Sequence, residues 1–346
     1  MNKSITYSCP SNIALVKYWG KKPVGIQLPA NASISWSLSD LRATTTIEIQ
    51  PKKAKESDLR FFLDGKSKAS FEPKIKDFLS RISSELPFLN EVDLIISSQN
   101  NFPHGAGIAS SAAGFGAMSM ALVDAEGILE PNSSKFLEKA SWCARLGSGS
   151  ASRSIYGAPA IWGETAAYES ASDLYAVPFT ESIHEDLNNW SDAVMIVDAG
   201  EKSVSSSQGH ALLDEHAYAN SRFKQAQSNL EELLNVLKNG DVDRFIALVE
   251  SEALQLHSMM MSSIPYYMLM RPHTISIIQE IWAFRMESKL PVCFTLDAGA
   301  NVHVLYDSRY QKEIQNFINN RLLSYCQNGL YLCSATGGKP EKIEND

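Results

Sequence analysis

Residues 101–114 read NFPHGAGIASSAAG, and this stretch decides how the first half of the chain is interpreted. It predicts a strand, a tight glycine-containing turn, two serines and then a helix over 107–126, in which Gly114 and Gly116 indicate a close approach by a backbone or a ligand. A helix N-terminus offers unpaired N–H groups and a positive dipole end, so a glycine loop before it suits phosphate. A tight turn with a serine N-cap is an equal alternative.

Two common nucleotide-binding sequences do not account for this stretch. The chain has no G-x-x-x-x-G-K-[ST] sequence, which excludes a Walker loop. Gly105 and Gly107 are followed by Ser110 where a dinucleotide fingerprint needs its third glycine, and the next acid, Asp124, falls inside the predicted helix. A dinucleotide-dependent oxidoreductase is therefore disfavoured.

A second stretch, residues 144–157, reads ARLGSGSASRSIYG. Its four serines and two internal glycines predict a flexible polar loop that donates many hydrogen bonds. Arg153 lies among them, and the planar fork of arginine suits a carboxylate or a phosphate. We interpret the loop as an anion clamp, with a solvated linker as the alternative.

Two further features are less specific when each is taken alone. Lys17, Lys21 and Lys22 lie close together next to Tyr18, and such a cluster is usually a solvated face. Asp297 in FTLDAGANVH directly follows a predicted buried strand. A carboxylate there is either a turn residue or a positioned base.

Composition limits the class of protein. The 346 residues carry a net charge of −8, which argues against a surface built for nucleic acid but leaves room for a local basic pocket. Five scattered cysteines without a CxxC pair indicate a reducing compartment, and no stretch approaches the roughly 20 apolar residues of a membrane span. The histidine spacing predicts no zinc site. We expect a cytoplasmic protein.

The apolar pattern predicts short strands in the first half, with 44–50 and 92–97 among them and a helix over 74–86 between. After about residue 190 it predicts a buried strand at 193–197, helices over 216–237, 242–257, 274–286 and 309–323, and strands at 292–296 and near Tyr331. The polar residues after Gly337 are expected to be frayed. We therefore place a domain boundary near residue 190.

Taken in order, these segments resemble the diphosphomevalonate decarboxylase family of the GHMP kinase superfamily. The resemblance rests on residues 12–21 with K-Y-W-G-K, on 28–29 with Asn31 and Ser33, on 101–103 and 107–114, on 145–154 with G-S-G-S-A-x-R-S, and on 297–299 with Asn301. It implies an α+β fold in which a ribosomal-protein-S5-like N-terminal domain (1–190) carries the ATP and substrate loops, and a ferredoxin-like C-terminal domain (191–346) follows.

The implied reaction is the ATP-dependent decarboxylation of (R)-5-diphosphomevalonate to isopentenyl diphosphate in a cleft between the domains, with Mg²⁺ as cofactor and a homodimer as assembly. The resemblance assigns residues to four roles: Asp297, Lys17 and Arg153 to catalysis; Tyr18, Lys21, Ser148, Ser150, Arg153, Ser205 and Ser206 to substrate binding; Gly105, Ala106, Gly107, Ile108, Ala109, Ser110 and Ser111 to ATP; and Ser111 to the metal. Lys22 is expected to converge on the same cleft.

The chain departs from the family pattern at three places. His104 and Gly105 stand where Thr and Ala are usual, no acidic residue follows Lys22, and the serine loop at 205–209 lacks a basic residue found in some bacterial members. These departures leave open a decarboxylase that acts on the 5-monophosphate. A 3-kinase that only phosphorylates is a separate alternative, against which Asp297 and Arg153 argue, and three intact polar loops argue against a non-catalytic ligand-binding protein of the same fold.

Overall fold

The computed structural model describes residues 3–53, 58–103, 108–200 and 206–344. Strands and helices are mixed, which confirms the prediction of an α+β fold. The strands are β1 (Lys3–Val16), β2 (Ser33–Pro51), β3 (Leu59–Leu63), β4 (Lys66–Ser67), β5 (Val92–Asn100), β6 (Ala160–Trp162), β7 (Val177–Pro178), β8 (Trp190–Met195), β9 (Val292–Thr295), β10 (Val302–Asp307), β11 (Tyr331–Ala335) and β12 (Glu341–Ile343). The α-helices are α1 (Glu72–Ile82), α2 (Ser110–Glu126), α3 (Ser134–Gly147), α4 (Glu185–Asn188), α5 (Ser206–Ala211), α6 (Ala219–Asn239), α7 (Val242–Met261), α8 (Pro272–Ser288) and α9 (Gln311–Phe317).

The first sheet is built on two long strands. Its order is β12-β1-β2-β5-β3-β4, and β6 and β7 extend it beside β2. Strand β1 has 14 residues and β2 has 19, so the prediction of short strands is wrong here. The many serines, threonines and asparagines interrupt the apolar pattern, yet these side chains are largely buried because helices or loops cover the sheet.

Helix α2 lies against this sheet and is buried along most of its length. An added Cβ at Gly116 would lie 2.6 Å from Cys9 Sγ, so the close approach expected at this glycine is a contact between α2 and β1. At Gly114 an added Cβ would meet nothing within 4 Å. The close approach expected from both glycines is therefore observed only at Gly116.

The second sheet has the order β11-β8-β10-β9, and the long helices α6, α7 and α8 lie between β8 and β9 in the chain. The observed helix α9 is shorter than the predicted helix over 309–323, because α9 ends at Phe317 and the chain continues as a short π-helix over Ile318–Leu322. The other predicted helices of this half differ from those observed by at most a few residues at each end. In the part of the chain that is described, no helix has both the length and the apolar character needed to cross a membrane.

Residues Glu341–Ile343 form a strand, which corrects the expectation of a frayed tail. Strand β12 pairs antiparallel with β1 through Thr6↔Ile343, Tyr7↔Lys342 and Ser8↔Glu341. Without β12, β1 would be an edge strand with unpaired backbone groups, and these pair here with a polar strand whose side chains stay exposed. The last strand of the chain therefore belongs to the first sheet.

A buried carboxylate connects the two halves. Glu252 on α7 is fully buried and accepts two hydrogen bonds from the guanidinium of Arg222, at 3.1 and 2.6 Å. It also accepts one from Asn229 Nδ2 at 2.6 Å and one from the backbone N–H of Lys17 at 2.9 Å. This carboxylate thus ties the end of β1 to α6 and α7.

We expect Glu252→Gln to lower the free energy of unfolding by about 3–5 kcal/mol, because it leaves the Arg222 guanidinium buried without a counter-charge. Urea unfolding followed by circular dichroism measures this loss. The matched control is Glu232→Gln, which breaks a two-bond pair with Arg244 that is exposed to solvent. The control is expected to leave the unfolding midpoint unchanged. Equal effects of the two substitutions would contradict the structural role of Glu252.

Candidate active site

A polar cleft of about 270 Å³ lies between the two halves of the chain. Ten of the residues that the sequence singled out line it: Lys17, Tyr18, Lys21, Ala109, Ser110, Ser111, Ser148, Ser150, Arg153 and Asp297. They come from the end of β1, the start of α2, the segment after α3 and the end of β9. Segments far apart in sequence therefore meet in one site.

Lys17 and Asp297 form the centre of this cleft. Lys17 follows β1 directly and Asp297 comes two residues after β9, and Lys17 Nζ lies 3.6 Å from Asp297 Oδ1. Lys17 Nζ also donates to the carbonyl of Ala14 at 2.6 Å. The lysine side chain is 2% exposed and the aspartate side chain 26%, so the carboxylate is the member of the pair that a ligand can reach.

The environment of Lys17 disfavours its charged form. Burial lowers the pKa of the Lys17 ammonium, and the nearby Arg153 lowers it further. The carboxylates of Asp297 and Glu252 act in the opposite direction and recover part of the shift. Lys17 thus lies in a poorly solvated position, where two acids offset part of the cost of its charge.

Arg153 is held inside the protein instead of on a loop. Residues Gly149–Ile155 form a short 3₁₀-helix, and Arg153 is 2% exposed, so the prediction of a flexible polar loop is wrong. Its Nε donates to Ser35 Oγ at 2.9 Å and its Nη1 to Ser33 Oγ at 2.7 Å. Burial lowers the pKa of Arg153 to about 10. These bonds fix the plane of the guanidinium at the wall of the cleft.

The start of α2 has the form expected of an anion site. Its N-cap is Ala109, with a positive φ of 44° and no side-chain capping bond, so the alternative of a serine N-cap is wrong. The N-terminal N–H groups of α2 lie where Ser110 and Ser111 line the cleft, and Ser111 Oγ is 3.4 Å from Ser148 Oγ. Ile108 is buried just before the helix and outside the cleft lining. The predicted residues Gly105, Ala106 and Gly107 lie outside the described residues.

Tyr18 and Lys21 line the same cleft as neighbours of a histidine that the sequence analysis did not select. The ring of His210 lies 4.4 Å from the ring of Tyr18, and burial raises the pKa of the Tyr18 hydroxyl. Burial lowers the pKa of Lys21, and Arg81 lowers it further. Ser205 lies outside the described residues, and of Ser206 only the backbone is described, as the first residue of α5.

Lys22 does not belong to the cleft lining, which corrects the prediction that it converges there. Its ammonium pairs with Asp173 and lies 3.9 Å from Glu164. Lys74 is a basic residue of the cleft that the sequence analysis did not select. It lines the cleft from α1, and its Nζ lies 5.2 Å from the ring centre of Phe115. The apolar spacing of α1 gave no indication of this, because it describes only the buried face of that helix.

A second cavity, of about 70 Å³, adjoins the start of α2. It shares Lys74, Ser110 and Ser111 with the cleft, and its remaining lining is mostly apolar, with Phe61, Leu63, Phe71, Ile75, Phe115 and Met118. A polar cleft and an apolar cavity therefore meet at the two serines.

Two family models match successive parts of this chain. Residues 9–176 match the family model of the diphosphomevalonate decarboxylase-like N-terminal domain, and residues 193–341 match that of the mevalonate 5-diphosphate decarboxylase C-terminal domain. The diphosphomevalonate decarboxylase of Ganoderma lucidum is 30% identical over 90% of this chain and 80% of its own.

Solved structures show the same architecture. The mevalonate diphosphate decarboxylase of Staphylococcus aureus superimposes with a TM-score of 0.85 at 28% identity, over 99% of both chains. A structure of MDDEF in complex with MVAPP, AMPPCP and magnesium has a TM-score of 0.85 at 27% identity, over 100% of both chains.

The buried ammonium of Lys17 generates a prediction about stability and pH. Since the pKa of Lys17 is lowered in the folded protein, the unfolded chain binds more protons between that pKa and the ordinary value of about 10.4. The free energy of unfolding therefore rises with pH in that window, by up to about 1.4 kcal/mol per pH unit. Lys17→Met removes this rise. Urea unfolding of both proteins from pH 7 to pH 10 measures the difference, and a difference that does not change with pH would refute the assignment.

Proposed function

Because the chain belongs to the diphosphomevalonate decarboxylase family, we propose that Lys17, Arg153 and Asp297 are its catalytic residues. The chain is an ATP-dependent decarboxylase of the mevalonate pathway, which converts (R)-5-diphosphomevalonate and ATP to isopentenyl diphosphate, ADP, phosphate and CO₂. The observation that carries the assignment of residues is the 3.6 Å pair of Lys17 and Asp297 in a cleft that Arg153 also lines.

Asp297 acts on the 3-hydroxyl of the substrate. A tertiary alcohol is a poor nucleophile, and a carboxylate close to its proton assists it. As the hydroxyl proton moves to Asp297, the oxygen forms a bond to the γ-phosphorus of ATP and the bond from that phosphorus to ADP breaks. The lysine ammonium beside the carboxylate offsets negative charge on the transferred group.

Decarboxylation follows because phosphate is a far better leaving group than hydroxide. When the bond from C3 to the phosphate oxygen breaks, positive charge grows at C3. The electron pair of the bond between C1 and C2 then forms the new double bond, and CO₂ leaves. Arg153, whose guanidinium plane is fixed by Ser33 and Ser35, holds the carboxylate in line for this step.

The nucleotide is assigned to the junction of the two cavities. The start of α2, with Ala109, Ser110 and Ser111, binds the phosphates, and the apolar cavity next to it accepts the adenine ring. Gly105, Ala106, Gly107 and Ile108 complete the proposed loop.

Magnesium fits the donors present at this place. Within the described ranges, no group of three or more His, Cys, Asp or Glu side chains could hold a metal alone. Mg²⁺ is usually bound by one or two protein oxygens together with substrate phosphates and waters, and the hydroxyl of Ser111 is such a donor. When bound, the ion would neutralise charge on the ATP phosphates.

Substrate recognition is assigned to other residues of the cleft. Tyr18, Lys21, Ser148 and Ser150 line it and present hydroxyl and ammonium donors to phosphate. Ser205 and Ser206 belong to the same proposed set from the second half of the chain.

We expect Asp297→Asn to lower kcat by about 10³-fold or more while the protein remains folded, because the amide cannot take up the hydroxyl proton. The measurement is the formation of isopentenyl diphosphate and CO₂ from 5-diphosphomevalonate and ATP. The matched control is Asp243→Asn on the exposed side of α7, which should keep normal activity.

The same assay with mevalonate and its 5-phosphate separates the alternatives. A 3-kinase would consume ATP and release no CO₂, and an enzyme specific for the 5-monophosphate would prefer that substrate. Either result, or full activity of Asp297→Asn, would overturn the proposal.

We also propose that the protein is a homodimer, on the basis of an exposed apolar row on α8. Ile275, Trp282 and Met286 lie on one side of that helix and are 48%, 39% and 71% exposed. Such a row on a surface helix is typical of an interface.

We expect Met286→Glu to convert the dimer to a monomer, because a carboxylate would be buried without a partner. Light scattering after size-exclusion chromatography measures the mass. Ile128→Glu, at a residue 72% exposed in the first half, is the control and should stay dimeric. A monomeric wild-type protein, or a dimeric Met286→Glu, would contradict this surface.

The cysteines support a cytoplasmic location, which we propose for this enzyme. All five lie within the described residues and are free, and four of them are buried. Burial raises the pKa of Cys9 and Cys143, so these thiols stay protonated. Free thiols of this kind are compatible with a reducing compartment.

A further inference from the structure

His210 is placed in the cleft by contacts from both halves of the chain. It lies in α5 and is only 8% exposed. Its ring lies between two aromatic rings, with centres 4.4 Å from Tyr18 and 4.5 Å from Trp19. The neighbouring Gly209 permits this packing, since an added Cβ would lie 2.6 Å from Trp19. The ring is therefore a rigid part of the cleft wall.

One hydrogen bond determines which ring nitrogen of His210 carries the proton. The backbone N–H of Gly20 donates to Nδ1 at 2.9 Å, so Nδ1 is an acceptor. In a neutral imidazole the other nitrogen then carries the hydrogen, and Nε2 is a donor. Burial and the nearby ammonium of Lys21 lower the pKa of His210 to about 3, which keeps the ring neutral at physiological pH.

A neutral hydrogen-bond donor at this position supplies a property that the ammonium groups of the cleft lack. The cleft already has the cations Lys17, Lys21 and Arg153, and the two ammonium groups among them attract phosphate without fixing the direction of a bond. A rigid N–H adds direction, because a hydrogen bond weakens steeply when it bends. His210 comes from the second half of the chain, whereas Tyr18 and Lys21 come from the first, so a phosphate bound by all three would connect the halves.

We propose that His210 is a substrate-binding residue whose Nε2–H donates a hydrogen bond to the phosphate chain of the substrate, at the end of the cleft formed by Tyr18 and Lys21. This inference rests on the proposed function and deepens it by adding a residue that binds the 5-diphosphate. With His210, the second half of the chain contributes to recognition of the phosphate through a residue besides Ser205 and Ser206, in addition to the chemistry at Asp297.

Two substitutions separate the two nitrogens of the ring. In His210→Asn the amide oxygen can still accept from Gly20 N–H, but the donor near Nε2 is lost. In His210→Gln the amide nitrogen lies near Nε2 and restores a donor. The matched control is His216→Asn, at a histidine outside the cleft whose Nδ1 also accepts a backbone N–H, that of Tyr218.

The experiment measures the Kd of inorganic diphosphate and of 5-diphosphomevalonate by calorimetry. We expect His210→Asn to weaken both by about 10- to 100-fold, as for a lost hydrogen bond to a charged group, and His210→Gln to recover at least part of this loss. The KM for ATP and the Kd of unphosphorylated mevalonate should not change, and the control should match the wild type. Equal losses in the Asn and Gln variants, or wild-type affinity in His210→Asn, would overturn the proposal.

A measurement on the wild type covers the case in which the variants do not fold. With ¹⁵N-labelled histidine, the Nε2 resonance of His210 should shift when inorganic diphosphate is added, and no shift would overturn the proposal. The two hypotheses fail separately: absence of isopentenyl diphosphate in the product assay would count against the function, whereas the diphosphate titrations report on His210 whatever the product is.

Discussion

The site depends on the buried carboxylate of Glu252. A charge at zero exposure is tolerated only when donors surround it, and here the donors are Arg222, Asn229 and the backbone N–H of Lys17. Two of them come from α6 and the third from the end of β1, so the requirement for compensation brings the halves together. Because the backbone of Lys17 is fixed by this bond, its side chain can reach only a limited region, and Asp297 lies there. The geometry of the reacting centre thus follows from an interaction outside it.

Hydrogen bonds from the first sheet also hold the charged groups of the site in fixed orientations. Arg153 is held by the hydroxyls of Ser33 and Ser35 on β2, which itself pairs along most of β1. Each cation at the reacting centre is therefore attached to the longest pair of strands in the first sheet. The proposed base, Asp297, lies just after β9, so the group that accepts the proton comes from a different sheet than the groups that hold the substrate.

Much of the candidate site could be predicted from local sequence, because charged residues stand out next to predicted strands and in segments rich in glycine and serine. Lys17, Arg153 and Asp297 were selected in this way together with the family resemblance, and the structure brings them into one cleft. The length of β1 and the pairing of β12 could not be predicted, since polar residues in a strand give no apolar pattern and the pairing partner lies hundreds of residues away. His210 gave no local signal either, because its tautomer and burial arise only from contacts with distant residues.

Burial of the basic groups also links ligand binding to the stability of the cleft. Burial lowers the pKa of Lys17, Lys21 and Arg153, and Arg153 further lowers that of Lys17. Lys17 and Arg153 therefore repel each other, and all three bases lie in poorly solvated positions of a chain whose net charge is −8. A bound phosphate favours the charged form of each base, so its binding energy includes the relief of that repulsion. By linkage, the anion that the cleft binds also stabilises the seam between the two halves. A cleft of this kind recognises phosphorylated molecules through basic groups that the folded protein already holds in poorly solvated positions. The neutral ring of His210 adds a directed hydrogen bond without adding to their repulsion.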